Sequence, residues 1–98
     1  METNTHIYEL HNFEGDTKQV IYFIKKEVDA EGNVKTVQNG TTNEDVLNMI
    51  VHRLEDLNKK MESHYNVNAI NHIKEALDQL NRRTADRLQR GVEGTHQE

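Results

Sequence analysis

The 98-residue chain has no cysteine, no proline and no tryptophan, and aromatic residues make up only 5% of it. Without cysteine there are no disulfides, no thiolate zinc site and no cysteine nucleophile, a usage that suits a reducing compartment. No proline-rich linker, internal repeat or low-complexity segment divides the chain. At 34% hydrophobic residues there is little material for a deep monomeric core, so one small domain that associates with further copies is expected. No apolar run approaches the ~20 residues of a membrane span, and the polar start, Met1 to His6, lacks a basic-then-apolar signal region. The net charge of −5 argues against polymeric nucleic acid or an anionic membrane as partner, so any anion site must be local.

From Ile7 to Val37, short β-rich runs alternate with turn residues. Ile7 to Leu10, Val20 to Val28 and Val34 to Val37 are separated by Glu14-Gly15-Asp16 and Glu31-Gly32-Asn33. The spacing predicts a three-stranded antiparallel meander over residues 1–40. Val20 to Ile24, apolar at consecutive positions, reads as a central strand covered on both faces. Glu31-Gly32-Asn33 supplies the residues a short hairpin connection needs. After Asn39-Gly40 the period changes. Thr41-Thr42-Asn43-Glu44 reads as a capping box built from the Thr41 hydroxyl and the Glu44 carboxylate. Leu47, Ile50, Leu54, Leu57 and Met61 form one helical seam, and Ile70, Ile73, Leu77, Leu80, Thr84 and Leu88 a second, with Ser63-His64-Tyr65-Asn66 as the interruption. The fold class is therefore α+β: the meander, then an antiparallel helical hairpin over residues 41–91, closed by Gly91 and Gly94 and a tail over residues 92–98.

Arg83, Arg87 and Arg90 concentrate charge as nothing else in the chain does. At 100° per residue they fall within a sector of roughly 60° beside the second seam. Arg87 has no acid three or four positions away, so the stripe carries like-charge repulsion of a few tenths of a kcal/mol per pair, which a bound anion would relieve. The plainer reading is that these arginines favour the negative end of a helix, with Asp86 paired to Arg82 and Arg90. Asn66 is a helix cap on one reading and the reader of a base edge on another. Tyr65 is either core or a stacking surface. The six histidines include no pair at the four-residue helical spacing of a two-histidine site, and the carboxylates scatter along solvated faces. Neither a metal site, a cofactor nor a catalytic acid-base pair is expected.

Asn39-Gly40, Asn43-Glu44-Asp45, Arg53-Leu54, Asn66, Ala69-Ile70, Glu75-Ala76-Leu77 and the run from Arg83-Thr84-Ala85-Asp86-Arg87 to Thr95 together resemble the type-one Thoeris anti-defence proteins of bacteriophages. The resemblance covers roughly Asn39 to Thr95, and the closing Arg90-Gly91-Val92-Glu93-Gly94-Thr95 run is its most specific part. It implies a non-enzymatic sponge in the host bacterial cytoplasm. Such a protein binds a cyclic ADP-ribose isomer, glycocyclic ADP-ribose, made by a bacterial TIR-domain enzyme, and withholds it from its effector without cleaving it. It also implies a homo-oligomer joined through helices and, for some members, binding of cyclic oligonucleotides from CBASS-type defence at further sites. Arg83 and Arg87 would hold the diphosphate and Asn66 the adenine; Arg90 extends the stripe. The family's aromatic near the end of the first helix is absent, since Leu57 and Met61 stand there, and Tyr65 is the nearest substitute. The alternative without the resemblance is a small helical protein-protein interaction module.

Overall fold

The computed structural model describes residues 4–90, the side chain of Arg90 excepted. The glycine-rich close of the chain, with the expected helix stop and tail, lies outside the described residues. The chain divides into two compact units, Met1–Thr42 and Asn43–Glu98.

The first unit is not one three-stranded meander. It holds two separate two-stranded antiparallel sheets, β1 (Ile7–His11) with β2 (Lys18–Tyr22), and β3 (Lys25–Val28) with β4 (Val34–Gln38). The expected central strand breaks at Phe23 and Ile24 because the backbone there changes partners. Phe23 N–H donates to the His6 carbonyl at 2.8 Å, Ile24 N–H to the Thr41 carbonyl at 2.9 Å, and Thr41 N–H to the Tyr22 carbonyl at 2.8 Å. Five apolar residues in a row therefore mark a change of pairing and not a strand covered on both faces. Val20 and Tyr22 remain 49% and 51% exposed. Beyond the switch the β3–β4 register slips, Lys25 facing Gln38 and Lys26 facing Thr36. The Gln38 amide ties the two hairpins together, donating to the His6 carbonyl at 3.1 Å and the Phe23 carbonyl at 3.0 Å. Tyr8 meets Phe23 edge to face, with centroids 5.7 Å apart.

The β3–β4 turn forms where Glu31-Gly32-Asn33 predicts it. Gly32 takes φ +86°, a left-handed conformation open to a residue without Cβ, and the Asp29 carboxylate accepts from the backbone N–H of Glu31 and of Asn33, each at 2.9 Å. Gly40 is needed for a different reason. A Cβ there would lie 2.6 Å from the carbonyl carbons of both Tyr22 and Phe23. Gly40→Ala is thus expected to destabilise the first unit by about 1–3 kcal/mol, the usual cost of forcing extra volume into a filled space. Faster amide exchange at Ile24 and Thr41 would reveal it, and unchanged exchange would contradict it.

The second unit is the expected helical hairpin. Helix α1 (Asn43–Lys60) and helix α2 (His64–Arg90) are joined by a three-residue turn over 61–63. α1 starts one residue later than the Thr41 capping box requires, because Thr41 is committed to the bridge with Phe23, and Thr42 takes the position before the first helical residue. Glu44 and Asp45 lie in the first turn of α1 and Lys59 and Lys60 in its last, charges that suit the helix dipole. The core is Val51, Ile70 and Leu77, with Leu47, Leu54 and Ile73 packed against it. On α1 the seam runs through Val51 instead of turning toward Leu57 and Met61, which stay 46% and 79% exposed. Lys74 of α2 meets Glu55 of α1 at 3.4 Å.

Candidate functional site

Every candidate that the sequence singles out lies on α2, at one end or the other. Tyr65 and Asn66 are in the first turn, Arg83 and Arg87 in the last two. At 1.5 Å of rise per residue, Asn66 is separated from Arg83 by about 26 Å along the helix axis and from Arg87 by about 32 Å. Within one chain the two groups are not brought together.

The arginine end is defined by length. α2 has 27 residues and α1 has 18. In an antiparallel hairpin with so short a turn, the first residue of α1 lies opposite about residue 81 of α2, so Arg83 and Arg87 belong to the stretch that outruns α1. Both are nevertheless only partly exposed. The Nε atom of each is shielded from solvent and meets no acceptor. An N–H withdrawn from water without a partner costs about 1–3 kcal/mol, and here the donor belongs to a cation. By contrast Arg82, the neighbour on the outer face, is 73% exposed and satisfied, its Nε 2.9 Å from the Asp78 carboxylate. The plain helix-end reading accounts for Arg82. It leaves the two shielded donors unexplained.

At the other end the structure replaces the expected cap. Ser63 precedes the helix and its hydroxyl accepts from the Tyr65 N–H at 3.2 Å, the ordinary work of an N-cap serine, so Asn66 is the third helical residue and not a cap. Asn58 near the end of α1 holds the turn: its Oδ1 accepts from the Ser63 N–H at 2.9 Å and from the Asn66 amide at 3.4 Å. Asn66 is half-buried, and its carbonyl oxygen is not the atom used in that contact. Tyr65 is not core; it is 74% exposed, its ring 4.0 Å from that of His64 and tilted by 36°. Together they form an exposed aromatic step at the start of α2.

Asn58 went unnoticed in the sequence. Its only signal is an asparagine five residues before a serine that interrupts two seams. Arg90 ends α2, and its side chain lies outside the described residues. Among the described residues no group of three or more histidine, aspartate or glutamate side chains could hold a metal ion, and no helix is long and apolar enough to cross a membrane.

No protein-family model matches the chain. A protein of Bacillus phage SBSphiJ7 named Thoeris anti-defense 1 is 48% identical to it over 60 residues, which amount to 60% of this chain and 42% of that protein. The match thus spans less than half the length of this relative. It agrees with the resemblance carried by the individual motifs.

Proposed function

We propose that this protein is an anti-defence sponge that binds a cyclic ADP-ribose isomer of the glycocyclic type, made by a TIR-domain enzyme, and holds it unchanged. The observation that carries the proposal is the pair of shielded, unpartnered Nε donors on Arg83 and Arg87. A diphosphate offers the acceptors these two lack, and a guanidinium grips it bidentately with charge assistance. The similarity to Thoeris anti-defense 1 supports the same class of role. Asn66, which follows the exposed Tyr65–His64 step in the chain, suits adenine, since an asparagine amide can exchange two hydrogen bonds with its edge while a ring covers its face.

Those two half-sites are about 26–32 Å apart on one helix, too far for a single compact nucleotide to touch both. On this reading they act on one ligand only when two chains lie antiparallel along α2, the arginines of one beside the Asn66 of the other. The helix surface suits such an approach. At 100° per residue, Tyr65, Ala69, Ala76, Arg83 and Arg87 fall within about 40° of one another, with small side chains midway, Tyr65 at one end and the arginines at the other, and Asn66 about 60° to one side of that sector. Cyclic nucleotides are already rigid, so little conformational freedom is lost on capture.

A complementation experiment tests both parts. Asn66→Ala and the double variant Arg83→Ala/Arg87→Ala are each expected to lack binding to the TIR enzyme's cyclic product in titration calorimetry. Denatured and refolded together in equal amounts, they should recover about a quarter of the sites, because a mixed pair carries one intact pocket out of two. Ligand released from the wild-type complex by heat should be chemically intact. No recovery in the mixture would place the whole site on one chain, altered ligand would indicate an enzyme, and no heat with the wild-type chain would leave a protein-protein interaction module. Cyclic oligonucleotides run in parallel show whether the same pocket takes them.

A further inference from the structure

Asn39 is exposed, follows the last strand of the first unit, and is the only asparagine of the chain that precedes a glycine. Its side chain is folded toward the next peptide bond, with the Gly40 N–H donating to the Asn39 Oδ1 at 3.0 Å. That fold-back brings the carboxamide carbon close to the Gly40 nitrogen, and glycine has no side chain to obstruct their approach. We propose that Asn39-Gly40 is a site of spontaneous deamidation and isomerisation in the folded protein.

The reaction needs only water. Hydroxide removes the Gly40 amide proton, and the nitrogen attacks the Asn39 Cγ. The bond from Cγ to the side-chain nitrogen breaks, and that nitrogen leaves as ammonia after taking a proton from water. The five-membered succinimide that remains opens when water adds to either ring carbonyl. Opening at Cγ yields an ordinary aspartate. Opening at the main-chain carbonyl yields an isoaspartate, whose backbone runs through the side chain and is longer by one methylene. No oxidant or reductant takes part, and each product gains a carboxylate.

The surroundings favour this link and make its conversion consequential. Exchanging the glycine for a slower neighbour would cost stability, because a Cβ at position 40 meets the Tyr22 and Phe23 carbonyl carbons at 2.6 Å. The chain is anchored on both sides of the link. Gln38 is tied to the His6 and Phe23 carbonyls, and Thr41 is bonded to Tyr22 on one side and Ile24 on the other. An extra methylene between two fixed points cannot be taken up by sliding, so the isoaspartyl form should lose the Thr41 bridge.

Incubating the folded full-length protein in mildly alkaline buffer and mapping its peptides by mass spectrometry tests the proposal. The peptide containing Asn39 is expected to gain about one dalton and split into two chromatographic forms, faster at higher pH and roughly tenfold or more faster than Asn33, whose β-branched neighbour crowds the attacking nitrogen. Asn33 is the internal control, exposed in a turn but followed by Val34. Asn39→Gln, which would have to close a larger ring, should abolish the change at this position without altering the glycine. Slower amide exchange lost at Thr41 in the isoaspartyl fraction would complete the case. Asn39 surviving in the folded chain as long as Asn33, or converting only after denaturation in urea, would overturn it.

Discussion

Arg83→Ala and Arg87→Ala are each expected to weaken binding of the cyclic nucleotide by about 10- to 100-fold, and the double variant by about a thousandfold, while the melting temperature of the free protein stays level or rises slightly. The first figure follows from charge-assisted hydrogen bonds at ~1.5–3 kcal/mol each. The second half of the expectation is the more discriminating. Each substitution removes an N–H that is shielded and unpartnered in the free chain and relieves repulsion between like charges one turn apart. Lost packing of the aliphatic stems offsets part of that gain. If these arginines served only to stabilise the helix end, their removal would lower the melting temperature instead. Arg82→Ala is the matched control, since that side chain is 73% exposed and paired with Asp78, and it should leave affinity nearly unchanged. Calorimetry with the TIR enzyme's product and a thermal melt of each variant decide the question. Affinity should also fall as salt is added, as screening weakens attraction at a partly exposed site.

The largest stability effect is expected in the hairpin core. Ile70→Ala and Leu77→Ala should each cost about 2–5 kcal/mol, because both side chains are buried and leave a cavity that a two-helix unit has few neighbours to fill. Against a total that rarely exceeds ~15 kcal/mol, either change removes much of the margin. Denaturant titration should show the midpoint falling sharply. The same truncation at Leu57, 46% exposed, or Leu88, 62% exposed, should cost far less. A penalty at Leu88 equal to that at Leu77 would mean that another chain covers it in solution, and concentration dependence of the midpoint would identify that cover as a second copy.

How far the sequence could be read depended on how local the deciding interactions were. The helices were legible because amphipathic periodicity repeats through Leu47, Leu54, Ile70, Ile73 and Leu77, whatever lies around them. The β3–β4 turn was legible because Asp29 and Gly32 settle it within five residues. The division of the meander was not. It depends on Phe23 and Ile24 bonding to His6 and Thr41, residues 17 positions away on either side, and a run of apolar residues looks the same in a central strand as at a change of partner. The end of the α1 seam differs from its periodicity for a related reason. Leu57 and Met61 continue the period, but the turn begins at residue 61 and both stay exposed. At the candidate site, the interruption at Ser63-His64-Tyr65-Asn66 and the stripe before Gly91 already set Asn66 and the arginines at opposite ends of the second helix, but the shielding of the Arg83 and Arg87 Nε atoms is written in no residue pattern. The Asn58 contacts with Ser63 and Asn66 depend on the hairpin closing, so no window of sequence contained them.

The length of α2 bears on the arithmetic of the whole assembly. If phosphate and base are gripped from opposite tips of two reversed rods, each rod lends one tip to either cavity, and a half-turn carries the pair onto itself. Capacity then equals the number of chains, yet a chain left over from pairing would hold nothing. The census of subunits in any saturable particle must be even.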